Sequence, residues 1–423
     1  MKPNPILAAD AVFLGLDFGT SGARLIALNA ALQPIFQAQH RFTENNWPEW
    51  RIALRGLLSS IPLPLRQVTQ SIAFCGTSST SLMCGAQGTP LSPAVLYNET
   101  RQVALPPKVP PQHLAASPSS SLTKLLWLAE RHQDAHFFMH QADWLAFQLH
   151  GRFGLSDYHN ALKLGYDVER LEYPAWLTEM PIARLLPYVL TPGAEMGVIR
   201  SNWVEDLGFS AQCTIRAGTT DSIAAFFASG AHLPGQAVTS LGSTLVLKLL
   251  SKNRVESAQY GIYSHRCGDL WLAGGASNCG GLVLERIFGR ERLNQLSAAI
   301  DPSRPSPLEY YPLPGIGERF PISDPQKQPV LEPRPADDVE YLHGLLESLA
   351  HVEAQGYALL ESLGATPVSE VLTAGGGAAN LAWQIIRERI LGRSIRPAPH
   401  AEAAMGAALL AARGTRLLYS ADH

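Results

Sequence analysis

Leu14-Gly15-Leu16-Asp17-Phe18-Gly19-Thr20-Ser21-Gly22-Ala23-Arg24 is the stretch on which the reading of this chain turns. Val12–Asp17 is an apolar, β-favouring run ending on a carboxylate, Gly19–Gly22 is a turn, and Arg24–Leu28 is a second, mostly apolar run stopped at Asn29. The pattern predicts strand, glycine turn, strand. Such a bend presents glycine N–H groups, with the hydroxyls of Thr20 and Ser21 beside them, to an anion. Asp17, at the end of a buried strand, can hold a hydrated Mg²⁺, a cation that keeps several waters and takes one or two carboxylates. A plain β-hairpin accounts for the same residues equally well.

The motif recurs. Ala237–Leu241, the turn Gly242-Ser243-Thr244 and Leu245–Leu250 again predict strand, turn, strand. Alone this is a hairpin; as a second copy it is the other half of a phosphate clamp. Two further segments carry chemistry. In Ala374-Gly375-Gly376-Gly377-Ala378-Ala379-Asn380, three glycines follow the strand Val371–Thr373 and precede a helix over Asn380–Leu391, which lets a flat ring lie against the backbone. In Ala217-Gly218-Thr219-Thr220-Asp221-Ser222, the strand Ile215–Thr219 leads into a helix over Ser222–Ser229. Asp221 falls at its N-terminus, where the helix dipole favours the ionised form. It is either a helix cap or a base able to take the proton of an attacking hydroxyl.

Between these segments, Ser71–Gly76 predicts another buried strand, and Pro106–Ser121 a surface loop from which Ser121 caps the next helix. A further helix stops at Gly151. Residues 301–335 are proline-rich and mostly loop, whereas Val339, Leu342, Leu345, Leu346 and Leu349 recur at helical spacing. Ala403–Arg413 predicts a small-residue helix suited to close packing. Two strand–turn–strand units, each opening one half, predict a duplicated α/β architecture of two domains, residues 1–229 and 230–423, with a ligand cleft between them.

Composition narrows the classes. The 423 residues suit two cores, and 46% hydrophobic with 16% charged residues is an ordinary globular balance. A formal net charge of −3 gives no long-range attraction for nucleic acid or an anionic membrane. Five scattered cysteines without a CxxC pair read as reduced, buried thiols. With no targeting or membrane-spanning segment in view, a cytoplasmic protein is expected, as a monomer or homodimer. Neither a GxxxxGK[ST] loop nor the HRD and DFG motifs of protein kinases occurs, so phosphoryl transfer needs another scaffold.

The order DFGTSGAR, AGTTDS, TSLGST, TAGGGAAN resembles the FGGY family of carbohydrate kinases, in the actin, hexokinase and Hsp70 superfamily. Lys124-Leu125-Leu126-Trp127, Gly317-Glu318-Arg319-Phe320-Pro321 and the helix around Gly406-Ala407-Ala408 add to the likeness, which covers roughly residues 12–413. The resemblance implies an α/β fold of two actin-like, ribonuclease H-like domains, with ATP and Mg²⁺ as cofactors and a small sugar as the other ligand. It implies phosphate binding by Gly19, Thr20, Ser21, Arg24, Gly242, Ser243 and Thr244, and adenosine binding near Gly375, Gly376, Gly377 and Asn380. Asp17 then orients Mg²⁺, Asp221 is the catalytic base, and Asp17, Ser21, Gly22, Ser78 and Asp221 meet the sugar.

The sugar is read from departures. After the strand at Ser71–Gly76, glycerol kinases carry an Arg-Glu pair and typical xylulose kinases Gln-Met-His-Gly; here the residues are Thr77-Ser78-Ser79-Thr80. The family's Trp-x-Asp-x-Arg stretch appears as Tyr97-Asn98-Glu99-Thr100-Arg101. The chain looks like a short xylulose-kinase-like subgroup of photosynthetic lineages that favours D-ribulose. D-ribulose is thus the first expectation, D-xylulose the second, and a degenerate ATP-binding or ATP-hydrolysing relative the third. Asp157, His159 and Asn160 stand as helix-cap or loop residues with a possible outlook onto the pocket. The few residues ahead of the first strand leave no room for the helix-turn-helix of a sugar-responsive repressor.

Overall fold

A computed structural model describes residues 11–419; the residues ahead of 11, on which the exclusion of a DNA-binding extension rests, lie outside it, as do 420–423. The described chain forms two compact units, residues 11–228 with 402–419, and residues 229–401.

The first unit is built on a six-stranded sheet in the order Pro34–Arg41, Gly22–Leu28, Val12–Phe18, Thr69–Gly76, Thr214–Thr220, Glu195–Val198. The first three strands run antiparallel as a meander, and the next two are parallel to Val12–Phe18. Val12–Phe18 is apolar on both faces because both are covered, as expected of a central strand between helices. On one side lie Trp50, Leu54 and Leu57 of the helix Trp47–Ser60 and Trp144 of Gln141–His150. On the other lies the small-residue helix Ala403–Arg413. There the backbones nearly touch. A Cβ on Gly15 would stand 2.0 Å from the Ala408 nitrogen, and one on Gly406 would stand 1.7 Å from the Ala224 carbonyl oxygen. The helix is therefore part of the first unit, although the sequence reading assigned its residues to the second. Its partners are far away in the chain, and composition alone cannot name them.

The second unit repeats the plan. Its sheet runs Tyr263–Cys267, Leu270–Ser277, Leu245–Ser251, Gln236–Leu241, Glu370–Ala374, Ser394–Pro397. Numbered by chain order, the shared five strands of each unit stand 3-2-1-4-5, with one additional edge strand at opposite ends. The long helix Asp338–Ser362 buries Leu342, Leu345, Leu346 and Leu349 in this unit's core, on the predicted face. The proline-rich stretch before it has no helix or named strand.

Local punctuation follows the residues closely. Gly151, at φ +72°, ends Gln141–His150 in the left-handed conformation. Ser120, one residue earlier than expected, caps Ser121–Arg131 by accepting the Thr123 N–H at 3.1 Å. Ser121 itself turns to His140, its Oγ 3.0 Å from Nε2. All five cysteines are buried and unpaired. Among the described residues no helix is long and apolar enough to cross a membrane.

Candidate active site

The site residues of the first unit owe their place to register. Asp17 stands opposite Arg24 on one side and Cys75 on the other; Phe18 pairs with Gly76, and Gly76 pairs with Thr220. Three parallel strands thus end side by side. From their ends leave the Gly19–Ser21 turn, the Thr77–Thr80 turn and the helix Asp221–Ala228, with Asp221 in its first turn.

The Asp17 carboxylate is buried, 3.8 Å from Arg24 Nη1 and 3.5 Å from the Cys75 thiol, which donates to Oδ1. Burial, and after it the neighbouring Asp221 carboxylate, push the Asp17 carboxyl up to about 6, while Cys75 and Arg24 pull the other way. Asp221 Oδ1 accepts the Ser222 N–H at 2.7 Å, so its own helix N-terminus steadies the anion. Two carboxylates that repel each other at a partly buried strand end are donors suited to a divalent cation. No group of three or more His, Cys, Asp or Glu side chains could hold a metal among the described residues. Asp17, with Asp221 near it, is the carboxylate that would hold a cation needing few protein ligands, such as Mg²⁺.

The Gly19–Gly22 turn is closed by Gly19 N–H donating to the Gly22 carbonyl at 3.0 Å. Thr20 and Ser21 are exposed at its tip, and Arg24 extends into solvent beside it. Gly22 has no room for a side chain, since a Cβ would lie 2.5 Å from the His40 carbonyl oxygen.

Ser78 is half-buried within the Thr77–Thr80 turn. Its neighbour Ser79 is left-handed at φ +68°, unusual for a residue with a Cβ. Gln141 braces the turn: Oε1 accepts the Thr77 N–H at 2.9 Å and the Thr77 hydroxyl at 3.1 Å, and the Gln141 N–H donates to the Thr80 carbonyl at 2.9 Å. Ser79 Oγ, Gln141 Nε2 and Thr220 Oγ1 are buried without a hydrogen-bond partner. Asp157 proves to be a helix cap, accepting the N–H groups of His159 (2.8 Å) and Asn160 (3.0 Å) and the Asn160 side-chain amide (2.6 Å). His159 turns to Thr219, Nδ1 to Oγ1 at 2.7 Å. Ser121, His140 and Asp143 line up as in an acyl-transfer triad, but all three are buried, and the Asp143–His140 bonds form a capping box.

The second unit brings its two glycine turns to one cavity of about 510 Å³, lined by Gly242, Ser243, Gly376, Gly377 and Asn380 among others. Thr244 and Gly375 are not part of that lining. Gly375, at φ +86°, has the Leu241 carbonyl oxygen 2.6 Å from where a Cβ would be. Asn380 caps Leu381–Leu391, with Oδ1 accepting the Trp383 N–H at 3.0 Å and Nδ2 donating to Ser297 at 2.9 Å. Its amide is already bonded at both ends.

Sequence reasoning missed the Gly280-Gly281 pair, which supports the second turn: Gly281 N–H donates to the Gly242 carbonyl at 2.8 Å. It also missed Trp383, Arg290 and Asn294 on the cavity wall. The doublet in Asn278-Cys279-Gly280-Gly281 was a readable signal; the other three lie on ordinary helix faces and gave none.

Comparison with known proteins agrees with this arrangement. The N-terminal domain profile of the FGGY family of carbohydrate kinases matches residues 12–228, and the C-terminal domain profile residues 237–415. Xylulose kinases from Streptomyces coelicolor and Escherichia coli are 27% and 24% identical, covering 94% and 95% of this chain and 87% and 89% of their own. Among solved structures, xylulose kinase from Rhodospirillum rubrum superposes with TM-score 0.81 at 18% identity, covering 96% of this chain and 92% of that one. Plasmodium falciparum glycerol kinase with ADP superposes at 0.80 with 16% identity, covering 98% and 94%. This chain belongs to the FGGY family of carbohydrate kinases, sugar phosphotransferases that use ATP.

Proposed function

We propose that the chain transfers the γ-phosphoryl group of ATP to a hydroxyl of a ketopentose, with D-xylulose as the favoured acceptor. The observation that carries this is that Asp17 and Asp221 stand at the same end of one sheet, at the ends of the strands either side of Thr69–Gly76, with a turn of small hydroxyl residues leaving between them. The choice of D-xylulose leans on relatives named xylulose kinase, among them those from Streptomyces coelicolor and Escherichia coli.

Asp221 accepts the proton of the sugar hydroxyl as that oxygen bonds to phosphorus and the bond to the ADP leaving oxygen breaks. The Ser222 N–H at the start of its helix holds its carboxylate in place. Asp17 is the residue that would hold Mg²⁺, which when bound would supply charge neutralisation for the transferring phosphates. Thr20 and Ser21 in the first unit, and separately Ser243 in the second, offer N–H and hydroxyl donors for phosphate oxygens. Gly376 and Gly377 leave room for the adenine ring. Five buried, unpaired thiols and ATP as donor suit a cytoplasmic setting.

D-ribulose is the second reading, supported by Thr77-Ser78-Ser79-Thr80 where xylulose kinases carry bulky polar side chains. The deciding experiment measures ADP release from Mg-ATP by purified protein with D-xylulose, D-ribulose, L-ribulose, ribitol and glycerol, and with Asp221→Asn alongside. Strong stimulation by one ketopentose, absent in the variant, is expected. Sugar-independent ADP release would move the chain to an ATP-hydrolysing role.

A further inference from the structure

Lys124 sits on the helix Ser121–Arg131 with no exposed surface, an uncommon place for a lysine. Its Nζ donates to two backbone carbonyls, Ser79 at 2.9 Å and Leu96 at 2.7 Å. Burying an ammonium group is costly, and burial lowers its pKa to about 7. What it grips are the Thr77–Thr80 turn and the residue just ahead of Tyr97–Arg101. Ser79 is the left-handed residue of the Thr77–Thr80 turn. Leu96 immediately precedes the Tyr97–Arg101 segment, from which Glu99 Oε1 accepts the Leu96 N–H at 2.9 Å and Arg101 pairs with Oε2 at 2.5 Å.

A non-glycine residue at positive φ persists only where its surroundings hold it there, and such strain gathers at ligand clamps. Here the Ser79 carbonyl is held by Lys124 and by Ser81 Oγ at 3.0 Å. The turn so held leaves the sheet between the strand ends that carry Asp17 and Asp221, and it contains the half-buried Ser78 and the unpartnered Ser79 hydroxyl.

We propose that Lys124 is a positioning residue for the sugar: by fixing the Ser79 and Leu96 carbonyls together it presets the Thr77–Thr80 turn, and so sets the affinity for the acceptor without touching it. This rests on the kinase reading above. A lysine that acts this way governs sugar KM, leaves ATP KM alone, and keeps the turn's amides protected from exchange.

The test compares wild type, Lys124→Met and Ser81→Ala as full chains. Ser81→Ala removes the other donor to the same carbonyl and leaves the buried amine, so it reports even where Lys124→Met fails to fold. Steady-state kinetics with the preferred ketopentose should show sugar KM raised about tenfold or more in Lys124→Met and about two- to fivefold in Ser81→Ala, with ATP KM unchanged and kcat within about threefold. Amide hydrogen exchange should quicken at residues 77–81 while distant amides keep their rates. Unchanged sugar KM and unchanged exchange in both variants overturns the inference, as does a fall in kcat with KM constant. If the wild type phosphorylates no sugar, the kinase reading fails by itself. Exchange alone then decides whether Lys124 holds the turn, with unchanged rates rejecting it.

Discussion

Arg387 grips both oxygens of Glu353, Nε on Oε2 at 2.6 Å and Nη2 on Oε1 at 2.7 Å, in the interior of the second unit. The pair reaches further. Arg387 Nη1 donates to Thr373 Oγ1 at 2.8 Å, and Thr239 Oγ1 donates to Glu353 Oε1 at 2.5 Å. Thr239 and Thr373 lie on neighbouring parallel strands, each just ahead of a glycine turn that lines the second unit's cavity. One buried ion pair therefore fixes the relative height of both turns. Removing either partner alone, as in Glu353→Gln or Arg387→Met, leaves a charge unpaired and should cost about 3–5 kcal/mol in denaturant unfolding. A loss below about 1 kcal/mol would show that water reaches the pair.

Asp221→Asn removes the base and almost no volume. Transfer to sugar should drop by about 10²- to 10⁴-fold, while ATP affinity by calorimetry stays near wild type. Wild-type transfer rates in this variant would refute the assignment.

Asp17→Ala should shift the Mg²⁺ requirement to higher concentration and lower the maximal rate. A titration of activity against Mg²⁺ checks this, and full activity at ordinary Mg²⁺ would take the metal role away from Asp17.

Gly406→Ala places a methyl group 1.7 Å from the Ala224 carbonyl oxygen, inside a backbone-to-backbone contact that cannot yield locally. Destabilisation of at least about 1–3 kcal/mol is expected. Gly56→Ala, where nothing lies within 4 Å of the added carbon, is the control and should be neutral or slightly stabilising.

Lys124 also makes stability depend on pH. Burial first, with Lys163 and Arg101 adding to it and Glu99 opposing, lowers its pKa from 10.5 to about 7. Between those values the unfolded chain holds a proton that the folded chain has released, so stability rises with pH across that window and the penalty is greatest below about 7. Unfolding of wild type and Lys124→Met measured from pH 6.5 to 9.5 should show a slope in the first that is shallower in the second. Parallel curves would mean that the lysine keeps its proton.

Much of this architecture is written locally. The strand Val12–Phe18, the glycine turns at Gly19–Gly22 and Gly242–Thr244 and the extent of Ala403–Arg413 all follow from residue type and spacing. What was hidden depends on partners far along the chain. Lys124 looks like the solvent-facing member of a leucine-rich helix, and only Ser79 and Leu96 reveal why it is buried. Ser79 gives no sign of positive φ, because the tertiary bonds that hold it there are invisible to local preference. Trp383, Arg290 and Asn294 carry no motif, yet helix packing brings them to the same cavity wall as two glycine turns.

The helix Ala403–Arg413 has a temporal consequence. A ribosome releases residues 12–228 long before residue 413, so the sheet face around Gly15 and the helix at Ala224 emerge without the element that seals them. Residues 229–401 form one uninterrupted stretch and contain all of their own core. During synthesis residues 229–401 can close first, and the earlier unit, which carries both carboxylates, waits for residues 402–419 before the sheet face around Gly15 is sealed.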